Sequence, residues 1–340
     1  MFLTTGLIKV TGTKTFRSSM EAIFKRTMFV CGRNFQNIEK SQRQNLVAPR
    51  GYKIIQADQK GAEAKVVAYE CPYGNMRKLF EVGIKPHTFV ALRNFHVQLA
   101  KRIPDLWDEF HHAASVEIDE LIKLPYWKQL NSIIEDSDNW ESSQRWYFLG
   151  KCQCHSGNYL IGWNTYRDTV IKRSEGKIWL KEDQCKQDLF NYRNVIFKEL
   201  LLWHKRVLDT IHMDGQLRNL FGHPFKFTSA VDDTNQTDAI AFVPQSTVGV
   251  ITHKAFIKLS HHIRDNKLAW HPFNNNHDSY AAFVPDDEVL EGKARMQEFM
   301  EQHLTSTLGE QYQMKASIAV GDNWAPWHKE KNPNGLVESR

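Results

Sequence analysis

The sequence predicts an α+β fold: a body built from strands and helices, interrupted by a long helical insertion. Two observations predict it. Strand-like runs occur at 52–57, 268–284 and 314–320, whereas the stretch from 88 to 211 reads as one helix after another. The order lacks the regular strand–helix alternation of a doubly wound parallel sheet, so strands and helices are expected to segregate.

Each element has a local reason. Tyr52-Lys53-Ile54-Ile55-Gln56-Ala57 alternates as a strand does, and Ala62 to Glu70 then switches to helix-forming residues, with Asp58 at the switch. Residues 88–121 and 126–135 read as helices, 143–156 as a helix bearing Arg145 and Lys151, and 181–211 as a long amphipathic helix. A Leu-Phe-Gly-His-Pro run within 217–227 marks a hairpin, and 244–264 returns to helix. Two short strands within 268–284 flank Asn276 to Asp278, followed by a helix at 286–304 and a closing strand near 314–320. There is no internal repeat and no low-complexity tract.

Length and charge bound the possibilities. At 340 residues the chain can bury one large core with a second lobe, or two to three subdomains. The net charge is only +5, yet residues 1–50 hold nine basic side chains against two acidic ones, a candidate phosphate-facing surface. A second basic excess lies at 145–206, twelve against six, while 105–141 is acid-rich; solvated helix faces account for many such runs. The five cysteines, Cys31, Cys71, Cys152, Cys154 and Cys185, are odd in number and irregularly spaced. That argues against a disulfide framework and for a reducing compartment. Cys152-Gln153-Cys154-His155 lacks the second ligand pair of a structural zinc site. No apolar run reaches membrane-spanning length and no secretory signal opens the chain, so a soluble, cytoplasmic protein is expected, with a viral protein acting inside a host cell included.

The chemistry-bearing residues are two aspartates 220 positions apart, Asp58 and Asp278, each at a strand end. Carboxylates from distant parts of a chain, brought to one place, are what a two-metal phosphoryl-transfer site uses, because each shares charge with bound Mg²⁺. Taken singly, Asp58 also reads as the N-cap of the following helix and Asp278 as a hairpin-turn residue.

A series of motifs in order resembles the polymerase region of family A DNA polymerases, the group of bacterial DNA polymerase I and many phage replicases. Asp58-Gln59-Lys60-Gly61-Ala62-Glu63-Ala64-Lys65 is similar to motif A, usually Asp-Tyr-Ser-Gln-Ile-Glu-Leu-Arg, and Lys85-Pro86-His87-Thr88 follows it at the family's distance. Upstream, Thr15-Phe16-Arg17-Ser18-Ser19 and Asn34-Phe35-Gln36-Asn37-Ile38 resemble the primer-template strands. Gly150-Lys151, His155 and Asn158-Tyr159 resemble motif B. Leu220-Phe221-Gly222, Pro244-Gln245-Ser246-Thr247, His277-Asp278 and Val320-Gly321-Asp322-Asn323-Trp324 then follow in family order.

The resemblance implies a right-hand polymerase: an antiparallel palm from residues 1–71 and 211–340, carrying motifs A and C, with helical fingers at 72–210 carrying motif B. It implies a DNA-directed DNA polymerase acting on primer-template DNA and dNTPs. Asp58, Asp278 and the carbonyl of Gln59 would hold two Mg²⁺ ions, for which Mn²⁺ can substitute. Lys151, Arg145, His155, Tyr159 and Glu63 would bind the nucleotide, Glu63 by crowding the sugar 2′ position. Arg17, Gln36, Asn37, Arg43, Gln245 and His277 would hold DNA. The family places a thumb and a 3′–5′ exonuclease before the segment that these motifs cover, so the chain is expected to be the C-terminal half of a split polymerase, or a fragment, with both functions supplied by a partner polypeptide.

The pattern also departs from the family. Tyr147 stands where motif B has an arginine, with Arg145 two positions away; Gly61 replaces a glutamine; Ala241 and Thr237 replace polar template contacts. Ser279 replaces the glutamate of motif C, a form shared with single-subunit RNA polymerases, which makes such an enzyme the alternative. A non-catalytic module that binds primer-template DNA is the second alternative; two retained anionic groups beside DNA phosphate count against it.

Overall fold

The computed structural model describes residues 7–9, 19–21, 38, 40–141, 144–227, 231–232 and 235–339. In chain order, β1 (Leu7–Lys9) and β2 (Ser19–Glu21) precede β3 (Tyr52–Gln59) and α1 (Ala62–Glu70). The helical stretch holds α2 (Asn75–Glu81), α3 (Pro86–Arg102), α4 (Trp107–Ser115), α5 (Ile118–Leu121), α6 (Trp127–Asp136), α7 (Trp146–Asn158), α8 (Trp163–Arg173), α9 (Glu182–Asn191) and α10 (Glu199–Asp214). The hairpin β4 (Gln216–Arg218) and β5 (Pro224–Lys226) leads to α11 (Gln236–Asn266), then β6 (His271–Asn275), β7 (Ser279–Pro285) and α12 (Val289–Met300). Strands β8 (Gln302–Thr305), β9 (Gln311–Met314), β10 (Ala316–Gly321) and β11 (Val337–Glu338) end the described chain.

Two compact units result: 1–63, 218–225 and 242–340 form the first, and 64–217 with 226–241 the second. The first holds a five-stranded sheet of order β11-β10-β3-β7-β6, with every pair antiparallel. Its centre is β3, paired on both edges, which is why Ile54, Ile55 and Ala57 are fully buried. Alternation divides the strand. Ala57 pairs with Tyr280, whose hydroxyl donates to the Met296 carbonyl of α12 at 2.8 Å, so that side of the sheet rests on α12. Ile54 packs with Phe283 and Trp324, and Gln56 accepts the Trp324 indole N–H at 2.7 Å. Asp58 has the same parity as Ile54 and Gln56 and lies on the face away from α12.

The second unit is helical. Its centre is the packing of α3 on α7, where Gly150 is required: a Cβ there would stand 2.6 Å from the His87 carbonyl oxygen. Phe95 stacks on Trp146 at 5.2 Å, and Asn94 donates to Gln153 at 2.6 Å between the same helices.

Several element boundaries differ from expectation for identifiable reasons. The run 88–121 is not one helix: Ile103 is non-helical (φ −131°, ψ 76°) before Pro104, as the residue preceding proline tends to be, and the chain restarts in a 3₁₀ turn. The run 181–211 breaks at a π-helical turn, Tyr192–Ile196, which lets Tyr192 and Phe197 both be buried with their rings edge to face at 4.9 Å. Helix α11 starts eight residues before Pro244, the residue that suggested a first turn. The helix expected to 304 ends at Met300, and the β8–β9 hairpin follows, closing through Gly309 at φ +81°. Cys71, Cys152, Cys154 and Cys185 are buried free thiols. Among the described residues, no helix is long and apolar enough to cross a membrane.

Candidate active site

Strand pairing brings the two aspartates together. Asp58 lies opposite Ser279 of β7 and Ser317 of β10, and the Gln59 N–H donates to the Asp278 carbonyl at 2.9 Å. The N-cap reading of Asp58 is overturned: it is inside β3, and α1 begins only at Ala62. The reversal between them passes through Gly61 at φ +59°, a conformation that explains glycine at this place. Asp278 does occupy the β6–β7 turn, where the Asn276 N–H donates to the Ser279 carbonyl at 2.7 Å, so the turn places it beside β3.

The site is electrostatically strained. Burial, then Asp278, then Glu338 push the Asp58 carboxyl up to about 8. Glu338 also meets the Lys60 ammonium at 3.4 Å. Two neighbouring carboxylates, one of them carrying a raised proton affinity, would have their repulsion removed by a hard divalent cation; among the described residues no group of three or more metal-ligating side chains is assembled. The donors are all oxygen, as Mg²⁺ takes.

A buried polar brace holds the two acidic segments in register. The Gln59 side chain donates to the Val248 carbonyl at 3.1 Å and to Thr252 Oγ1 at 2.7 Å, both on α11. Thr252 Oγ1 in turn donates to the His277 carbonyl at 2.9 Å, with the Val248 carbonyl at 3.2 Å. One hydroxyl of α11 therefore bridges the residue after Asp58 to the residue before Asp278. His277 Nε2 lies 2.9 Å from Glu63 Oε1, joining the α1 start to the same turn. Gln59 Oε1 and His277 Nδ1 are buried without a hydrogen-bond partner among the described residues. Burial, and secondarily His277, lower the proton affinity of His253.

In the helical unit, Lys151, His155 and Tyr159 are spaced by four and share one side of α7 and its C-terminal cap. Lys151 Nζ is 2.7 Å from Asp138 Oδ2, and Arg145 Nη2 is 3.3 Å from Asp138 Oδ1. Arg145 caps α7 outside its first turn, so it escapes the helix-face restriction that its spacing from Lys151 implies and reaches the same carboxylate. Tyr147, standing in the arginine position, is buried with its hydroxyl pKa driven upward by burial, and its ring lies 4.4 Å from Lys151 Nζ. Tyr159 is buried, with the His155 ring edge-on at 5.4 Å.

No family model matches the chain, and no curated protein matches it. Among 132 matching chains of known structure is the polymerase domain of Pol1 from M. smegmatis, in complex with DNA primer-template and dNTP. The TM-score is 0.63 at 18% identity, over 94% of this chain and 47% of that one. The chain is similar in fold to a DNA polymerase domain. It spans about half the length of that structure.

Of the residues expected to hold DNA, Arg17, Gln36 and Asn37 lie outside the described residues. Arg43 lies over the Trp324 ring at 4.4 Å and donates to the Ile38 carbonyl at 3.4 Å, and burial lowers its proton affinity. Gln245 is half-buried on α11, and His277 is engaged with Glu63. Ala241 is buried. Sequence reasoning missed Thr252 and Asp138. The signal for Thr252 was available: Ser246, Thr247 and Thr252 are fully buried hydroxyls in an otherwise apolar stretch of α11, where each needs an internal partner. Asp138 carries no such signal, because an aspartate in an acid-rich stretch reads as solvated.

Proposed function

We propose that this chain is a template-directed DNA polymerase, transferring deoxynucleotides to a primer 3′-hydroxyl. The observation that carries the proposal is the placement of Asp58, on β3, beside Asp278, in the turn that leads into the neighbouring β7, in a chain similar in fold to a polymerase domain. In this reading residues 1–71 and 211–340 are the palm and 72–210 the fingers. Asp58, Asp278 and the Gln59 carbonyl would hold two Mg²⁺ ions, which would supply acidification of the primer hydroxyl and neutralisation of triphosphate charge. Glu63, held by His277, excludes the sugar 2′-hydroxyl. Lys151 and Arg145 carry phosphate charge, while His155 and Tyr159 shape the nucleotide side of α7. Arg17, Gln36, Asn37, Arg43, Gln245 and His277 contact primer-template DNA, mostly at sequence-independent groups.

The test is single-nucleotide primer extension with Mg²⁺ and then Mn²⁺, supplying deoxy- and ribonucleotides separately, with Asp278→Ala as control. Templated deoxynucleotide addition, lost in the variant while DNA affinity persists, is the expected result. Ribonucleotide addition would favour an RNA polymerase, the reading motivated by Ser279 in place of the motif C glutamate. DNA binding with no addition in any tube would leave a non-catalytic module.

A further inference from the structure

We infer that Asp138 is an internal competitor for nucleotide phosphate, setting the affinity of the Arg145–Lys151 cation pair. The inference rests on the proposed role of that pair. Its geometry is a single carboxylate shared by two cations: Lys151 Nζ at 2.7 Å from one oxygen and Arg145 Nη2 at 3.3 Å from the other. Arg145 Nε also donates to the Asp138 backbone carbonyl at 2.8 Å, so the guanidinium grips the residue twice.

The carboxylate is held in place by its turn. Asp138 is the middle residue of a 3₁₀ turn, Ser137–Asn139. Ser137 Oγ donates to the Ile134 carbonyl at 2.6 Å and accepts the Tyr147 N–H at 3.0 Å, tying the turn to the first turn of α7. The neighbouring Asn139 and Trp140 side chains are taken by Asp136, not by Asp138.

The cations have seats of their own. Lys151 Nζ stands 4.4 Å from the Tyr147 ring centroid, and the Arg145 guanidinium 4.5 Å from that of Phe148. These aromatic faces hold both cations where they are when the carboxylate is neutralised. The trio carries a net charge of +1 with Asp138 ionised and +2 without it. A polyphosphate entering this pair must displace the carboxylate from at least one cation before it gains the full attraction of both. The side chains of Asp138 and Arg145 are 27% exposed and that of Lys151 is 40% exposed, so solvent screens the contest without abolishing it. Competition from an ion pair this exposed weakens a bound anion by roughly fivefold.

The experiment measures binding of inorganic tripolyphosphate to the full chain by calorimetry. The proteins are wild type, Asp138→Asn, Asp138→Ser, Lys151→Ala and the Asp138→Asn/Lys151→Ala double variant, each shown by its melting curve to be folded. Binding about fivefold tighter in both Asp138 variants is expected, with the gain shrinking in the Lys151→Ala background because the two residues are directly coupled. In primer extension the KM for dNTP should fall further than kcat changes, which a merely structural role would not produce. Equal or weaker binding in the folded Asp138 variants, with Lys151→Ala impaired, overturns the inference and leaves the phosphate clamp standing. Tripolyphosphate binding that ignores Lys151→Ala removes the clamp itself, and the inference with it.

Discussion

Replacing Asp58 by asparagine should stabilise the fold while abolishing catalysis. In the folded chain its carboxyl is pushed up to about 8 by burial and Asp278, against 3.8 for the free group. A carboxyl raised on folding binds its proton more tightly in the folded state, so stability is fullest below the unfolded value and declines as pH climbs through the folded one. Each pH unit across that window removes up to about 1.4 kcal/mol, which sets a ceiling of roughly 4 kcal/mol at pH 7. Asp58 is half-buried and Asp278 is exposed to solvent, which screens the repulsion. A realised penalty of about 1–2 kcal/mol is expected, equivalent to roughly 1.5–3 °C in melting temperature for a chain this large. Asparagine keeps the shape and removes the charge. Asp58→Asn should therefore melt higher than wild type at pH 8, with the difference shrinking at pH 5, and should lose primer extension at both. MgCl₂ should raise the wild-type melting temperature and leave the variant unmoved. Differential scanning fluorimetry across pH, with and without MgCl₂, reads all of this. A variant that melts at or below wild type at pH 8, or a gain independent of pH, would refute the reasoning.

Thr252→Val removes the hydroxyl that bridges Gln59 to the His277 carbonyl and leaves a buried amide short of a partner, a loss of about 1–3 kcal/mol in urea unfolding; Thr252→Ser should recover most of it, and equal midpoints for valine and threonine would dismiss the brace. Glu63→Ala should admit ribonucleotides in primer extension, and His277→Ala should share part of that phenotype because it holds Glu63 at 2.9 Å; unchanged sugar selectivity in both would contradict the assignment. Burial holds His87 and His204 near 4, so the unfolded chain takes up their protons first as pH falls from 6.5 towards 4, and stability drops across that window by up to about 3 kcal/mol for each. His204→Gln should flatten the melting-temperature profile between pH 6.5 and 4, and an unaltered slope would remove His204 as a cause.

Much of the architecture was legible because it is local. The period of Tyr52 to Ala57 is a two-residue alternation, and the turn at Asn276 to Asp278 is written in side chains that favour turns, so β3 and the β6–β7 hairpin could be drawn from the sequence alone. The helical run was equally plain, but its interruptions were not. Nothing in the spacing of 181–211 distinguishes a continuous helix from one with a π-helical turn, since the turn exists to seat Tyr192 and Phe197 in a core formed by other segments. The β8–β9 hairpin was likewise hidden in a pattern that reads equally as the end of α12.

By itself, the sequence determined the α+β class, the order of the motifs and the identity of the two aspartates, because alternation, helical period and motif order are properties of residues near one another along the chain. The tertiary structure alone decided that Asp58 faces away from α12 opposite Ser279, that Thr252 links the Gln59 side chain to the His277 carbonyl, and that Arg145 joins Lys151 on Asp138. Those facts depend on strand register and on how a cap residue leaves its helix. A shift of one residue in register turns every side chain to the opposite face, and no local pattern encodes which long-range partner a buried polar group will find.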